Sequence, residues 1–166
     1  MIPSFAIARL PRIEFGAGTL RKLPAIAASY GKRLLLVTGA RSFAESTAGE
    51  WLLGELKAQG FSWQQVRVAG EPSPQFVDGA VARLHGGEID VVIGLGGGSA
   101  LDAAKAIAGL LKPGNSVLDH LEGVGPEKPY LGPATPFIAV PTTAGTGSEA
   151  TKNGRASCRE RVCSVV

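Results

Sequence analysis

Val91-Val-Ile-Gly-Leu-Gly-Gly-Gly-Ser-Ala-Leu-Asp-Ala-Ala-Lys105 decides the fold of this chain. Asp90–Gly94 reads as an apolar strand, and Gly96, Gly97 and Gly98 as a tight turn out of it. Ser99 then stands where a helix N-cap belongs, and Asp102, three residues on, completes the pattern of a capping box. A strand–glycine–helix junction brings bare backbone N–H groups and the positive end of a helix dipole to one point, which suits a phosphate or pyrophosphate. The G-x-G-x-x-G fingerprint is only partly met, because Ser99 occupies its sixth position after Gly94 and Gly96. Such a junction can also be a turn that lets a helix pack closely on a sheet. Three consecutive glycines exceed that need and favour the phosphate.

The flanking sequence alternates strand and helix. Two β-prone pieces, Ala6–Leu10 and Ile13–Phe15, suggest an N-terminal edge ribbon, and Thr19–Ser29 a helix that Pro24 breaks or restarts. In Lys32–Thr38 the run Leu34-Leu-Leu-Val37 is apolar on both faces, as in a central parallel strand. Helices are expected at Glu50–Gln59, Gln75–Leu84 and Ala100–Leu111, the last burying Leu101, Ala104, Ala108 and Leu111. Further strands are expected at Trp63–Val68 and Phe137–Val140. The pattern predicts an α/β fold, a Rossmann-like parallel sheet flanked by helices. In such sheets ligands bind beyond the carboxyl ends of the strands. Gly39–Ser42, Glu71–Pro74, Gly94–Ser99 and Pro141–Gly147 all follow strands at that end. Lys112–Thr135 is long for a connection and is a candidate binding or interface loop.

Composition narrows the class. Hydrophobic content of 45% with 19% charge describes a globular domain, and no apolar run approaches the ~18 residues of a membrane span. The start lacks a basic segment followed by an apolar core, so a cytoplasmic location is expected. Of the net charge of +3, residues 154–166 carry +2, from three Arg and one Glu. The remaining basic residues are scattered, which argues against a nucleic-acid partner, and no membrane partner is expected. Cys158 and Cys163 both fall in that last stretch; their C-x₄-C spacing is read as neither a redox nor a zinc pair.

Three segments occur together in order: Gly70-Glu-Pro-Ser-Pro74, Gly96-Gly-Gly-Ser-Ala-Leu-Asp-Ala-Ala-Lys105 and Pro141-Thr-Thr-Ala-Gly-Thr-Gly-Ser-Glu149. With Phe15-Gly-Ala-Gly18 and Leu121-Glu-Gly-Val-Gly125, they make residues 1–153 resemble the N-terminal nucleotide-binding domain of the iron-containing (group III) alcohol dehydrogenases. The resemblance implies that Gly96, Gly97, Gly98 and Ser99 hold the cofactor pyrophosphate, with Asp102 beside them. It places Thr142, Thr143 and Thr146, with Ser148, along the adenine and nicotinamide side of the crevice. Glu71–Pro74 is read first as a rigid turn and second as part of the cofactor wall. At the end of the first central strand an acidic residue would bond the ribose 2′-hydroxyl, and an arginine without that acid would admit a 2′-phosphate. Gly39 stands in the acid's place and Arg41 follows, so the cofactor is NAD or NADP, with a lean to NADP or to both.

The same resemblance implies an oxidoreductase interconverting an alcohol and an aldehyde or ketone, with Fe(II) or Zn held by a second, helical domain. Its partners would be nicotinamide dinucleotide and, in the full-length protein, a small alcohol or aldehyde; a homo-oligomer stays open. No metal ligand is assigned to this chain: His85 and His120, its two histidines, lack ligand spacing, although His120 lies beside Asp119 and Glu122. From Gly154 the chain departs from the family pattern: Gly154–Val162 has no helix or strand period and resembles a sequencing adapter translated in the wrong frame, so residues 154–166 are expected to be a non-native tail. A genuine short tail of a degenerate gene is the alternative. The fragment alone is expected to be inactive. Other readings are a non-catalytic nucleotide-binding module, or a relative of dehydroquinate synthase, glycerol dehydrogenase or maleylacetate reductase.

Overall fold

The computed structural model describes residues 11–40, 43 and 45–150, and the backbone of 162–165. The elements run β1 (Arg12–Glu14), a 3-10 turn (Thr19–Lys22), α1 (Leu23–Ala28), β2 (Arg33–Gly39), α2 (Thr47–Ala58) and β3 (Ser62–Val68). Then follow α3 (Pro74–Leu84), β4 (Val91–Gly96), α4 (Gly98–Leu110), a second 3-10 turn (Val117–Asp119), β5 (Phe137–Pro141) and β6 (Val162–Val165). Among the described residues the sheet has the order β1-β6-β5-β4-β2-β3, and every neighbouring pair is parallel. A parallel sheet puts the carboxyl ends of all its strands on one side, so the loops after β2, β3, β4 and β5 share that side.

Burial follows the strand pleat. Leu35 and Val37 of β2 face one core with Val92, Leu101, Ala104 and Ile107, while Leu34 and Leu36 face the other with Leu52, Leu56, Ile93 and Ile138. Two helix layers therefore cover the sheet, and β2 and β4 are apolar on both faces as the run Leu34–Val37 requires. Pro24 sits in the first turn of α1, where its missing N–H costs nothing, so the helix restarts there after the 3-10 turn. The side chains of Ser46 and Ser73 cap α2 and α3 by accepting from the N–H groups of Gly49 and Phe76.

Three expectations change. Ser99 is not an N-cap: β4 extends to Gly96, Gly97 takes the cap position without a side-chain bond, and its carbonyl accepts from Ala100 and Leu101. The capping box with Asp102 does not form, because that side chain pairs with Ser148 instead. Within the tail, where no strand was expected, Val162–Val165 forms one between β1 and β5. Sheet pairing, a non-local interaction, fixes those four residues. Of the N-terminal ribbon, Arg12–Glu14 is the edge strand beside β6. Ala6–Leu10, Arg41, Ser42, Asn153 and Gly154–Arg161, Cys158 included, lie outside the described residues.

At the opposite end of the sheet Asp90 ties β4 to β2. Its Oδ2 accepts from the N–H groups of Lys32 and Arg33, each at 3.0 Å, and its Oδ1 meets Arg33 Nη2 at 2.6 Å. Gly31, at φ 148°, leaves the room: a β-carbon there would collide with the Asp90 side chain. The Arg33 guanidinium bond, aided by the two N–H donors, holds the Asp90 carboxyl below its usual range against the opposing effect of burial. A lowered folded value means that this stabilisation is fully present above the unfolded value of about 3.9 and is lost as pH falls through the folded one. Asp90→Asn is therefore expected to reduce stability to urea at neutral pH by about 1 kcal/mol. The gap to wild type should close below about pH 4; a gap independent of pH would assign the loss to something other than the charge.

Candidate functional site

The candidate site lies at the carboxyl ends of the strands, where the turn after β4, the loop after β5 and Glu71 come together beside Gly39 at the end of β2. Gly96 has φ 152°, a region open to glycine, and a β-carbon there would lie 2.9 Å from that of Ala100 and 3.3 Å from the nitrogen of Gly39. At Gly96, the last residue of β4, the chain is thus packed against the end of β2 and has no room for a side chain. The first N–H groups of α4 have no intrahelical partner, and with Gly97 as a bare cap they point into the crevice mouth with the helix dipole behind them. Bare N–H groups at a helix N-terminus are the chemistry that suits an anion.

The loop after β5 closes over the turn. The N–H of Thr142 bonds the carbonyl of Gly96 at 2.9 Å, continuing the β4–β5 ladder by one residue. A β-carbon on Gly97 would stand 3.3 Å from Thr143 Oγ1, and one on Gly98 would stand 3.1 Å from Ser148 Oγ and 3.3 Å from Thr146 Cβ. Thr142, Thr143 and Thr146 are exposed, while Ser148 is buried. Ser148 Oγ donates to Asp102 Oδ2 at 3.2 Å, and its N–H reaches Thr146 Oγ1 at 3.4 Å. Asp102 thus fixes the loop to the first turns of α4.

The structure brings together Gly96, Gly97, Gly98, Ser99, Asp102, Thr142, Thr143, Thr146 and Ser148, with Gly39 at the adjoining strand end. Arg41 falls outside the described residues. Glu71, read from the sequence first as part of a rigid turn, is the addition: its Oε1 accepts from Ser99 Oγ at 2.9 Å. The contact spans 28 residues, so only the parallel order of β3, β2 and β4 could have foretold it.

Neither histidine belongs to this crevice. His85 Nδ1 lies 2.7 Å from the carbonyl of Leu111, at the end of α4, and not over its own helix end. His120 is held by Asn115 at 2.6 Å and the Lys128 carbonyl at 2.8 Å, and Asp119 pairs with Lys128 at 3.0 Å. Among the described residues no group of three His, Cys, Asp or Glu side chains could hold a metal ion. The Lys112–Thr135 connection leaves the far end of α4 and enters β5 at its start, fastened to α3 by Asp78, which accepts from Ser116 Oγ and the Val117 N–H.

Comparison with known proteins bears on the same residues. The family model for iron-containing alcohol dehydrogenase matches residues 11–161. Long-chain-alcohol dehydrogenase 1 of Geobacillus thermodenitrificans is 36% identical over 145 residues, which are 85% of this chain and 36% of that protein. An archaeal halo-thermophilic alcohol dehydrogenase from a Red Sea brine pool superposes with a TM-score of 0.83 at 28% identity, over 99% of this chain and 47% of its own. Sulfoacetaldehyde reductase from Bifidobacterium kashiwanohense, solved in complex with NAD+, gives a TM-score of 0.76 at 26% identity, over 98% of this chain and 46% of its own. The chain therefore spans about a third of the curated relative and under half of these solved structures.

Proposed function

Because the chain belongs to the iron-containing alcohol dehydrogenase family, we propose that it is the cofactor-binding portion of an NAD(P)-dependent oxidoreductase interconverting an alcohol and an aldehyde or ketone. The observation that carries this is the bare glycine turn at the head of α4, overlaid by Thr143, Thr146 and Ser148. Gly97, Gly98 and the N–H of Ser99 would cradle the diphosphate, and the threonine loop would line the crevice beside it. A bound nicotinamide ring supplies the acceptor or donor of hydride. The chain's own part is to bind and orient: the turn fixes the diphosphate, and the Asp102–Ser148 bond sets the height of the loop.

The residues described here do not fit a metal, and no metal-dependent step is assigned to them. Fe(II) or Zn would be held by the helical domain of a full-length protein, and the isolated chain should lack turnover.

For cofactor choice, β2 ends on Gly39, with no acid to bond a ribose 2′-hydroxyl or to repel a 2′-phosphate. NADPH should therefore bind at least as well as NADH. Gly39→Asp is expected to weaken NADPH about tenfold or more relative to NADH, the loss being repulsion between two desolvated like charges. Equal effects on the two cofactors in fluorescence titrations would remove Gly39 from the ribose site.

A further inference from the structure

The Ser99–Glu71 bond sits where the diphosphate of a dinucleotide is expected. Glu71 does not reach Ser99 by chance of rotamer alone. Gly70, at φ 79°, turns the chain out of β3, prolines at 72 and 74 stiffen the path, and Ser73 caps α3 immediately after. The exposed carboxylate is thereby set beside the first turn of α4, with Ser99 Oγ at 2.9 Å. A serine hydroxyl has one proton to donate. While Ser99 gives it to Glu71, the hydroxyl cannot give it to a ligand oxygen, and a second negative group entering the turn meets the charge already there.

We propose that Glu71 is an internal competitor for the diphosphate, an affinity-setting residue that occupies the Ser99 hydroxyl in the empty site and is displaced when a diphosphate-bearing ligand arrives. This rests on the glycine turn being the diphosphate site. Its consequence is discrimination by charge: ligands carrying a diphosphate pay the repulsion, and uncharged nucleosides do not. In an enzyme limited by product release, a weaker hold on the dinucleotide favours turnover.

The test is a titration of the 166-residue chain and its E71Q, E71A and S99A variants with ADP-ribose and with adenosine, at low and high salt. E71Q and E71A should bind ADP-ribose about two- to five-fold more tightly than wild type at low salt, the range of an exposed charge interaction. The gain should shrink at high salt, where exposed charges are screened, and adenosine affinity should stay unchanged. S99A should cost more affinity in the E71A background than alone, since only there is the hydroxyl free to serve the ligand. Unchanged or weaker ADP-ribose binding by E71Q and E71A would overturn the proposal and make Glu71 a support of the turn. If wild type and both Glu71 variants all fail to bind ADP-ribose, the diphosphate site itself is wrong.

Discussion

Gly94→Val is expected to cost about 3 kcal/mol of stability, by overpacking the centre of the sheet. A β-carbon at Gly94 would stand 2.8 Å from that of Ala104, 3.1 Å from Phe137 Cε2 and 3.2 Å from Leu101 Cδ2. The backbone has no easy way to retreat, because β4 is paired on both sides, Gly94 lying opposite Val37 and Ala139. Valine's preference for strands would otherwise make this a favourable change, so sterics and propensity predict opposite signs. Gly94→Ala should fall between wild type and valine. Urea unfolding of the three proteins decides it: a stable Gly94→Val would mean that α4 can lift off the sheet, and with it the glycine turn.

The second large effect separates folding from binding at one residue. Gly97 is the N-cap of α4 in an extended conformation, φ −76° and ψ −174°, which any residue can adopt. Aspartate is a favoured N-cap, worth a few tenths of a kcal/mol over glycine, and its charge suits the helix dipole. The added β-carbon would press on Thr143 Oγ1 at 3.3 Å, a contact an exposed loop can relieve. Gly97→Asp should therefore fold as well as wild type or slightly better. It should also lose NADH binding by about tenfold or more, because its carboxylate takes the N–H groups proposed to hold the diphosphate. Melting temperature and NADH affinity moving down together would instead make Gly97 a structural glycine.

The parts of the fold that were legible in the sequence are those in which local pattern and tertiary burial agree. Leu34–Val37 could only be a strand covered on both faces, and it lies in the middle of the sheet with all four side chains buried. The helical stripe of Leu101, Ala104, Ala108 and Leu111 is buried as its spacing requires. Serine followed by Asp three residues on has the same local pattern as a capping box, and here local chemistry lost to the sheet. Pairing of Gly96 with Pro141 carried the strand two residues past the expected end and moved the cap to Gly97. Glu71 could not be placed on Ser99 without knowing which strands are neighbours. The four residues of β6 are too few for a period to show, and their place between β1 and β5 is decided by pairing alone.

The central claim is that the glycine turn after β4 and the loop after β5 form one dinucleotide site. An amide-resolved NMR titration of the 166-residue chain with NADH tests it most directly. The prediction is saturable shifts at Gly97, Gly98 and Ser99 together with Thr143 and Thr146, and little change at Asp90 on the opposite end of the sheet. Shifts confined to other surfaces, such as the groove lined by Arg67 and Arg83 between β3 and α3, or no saturable shift at the glycine turn, would contradict it.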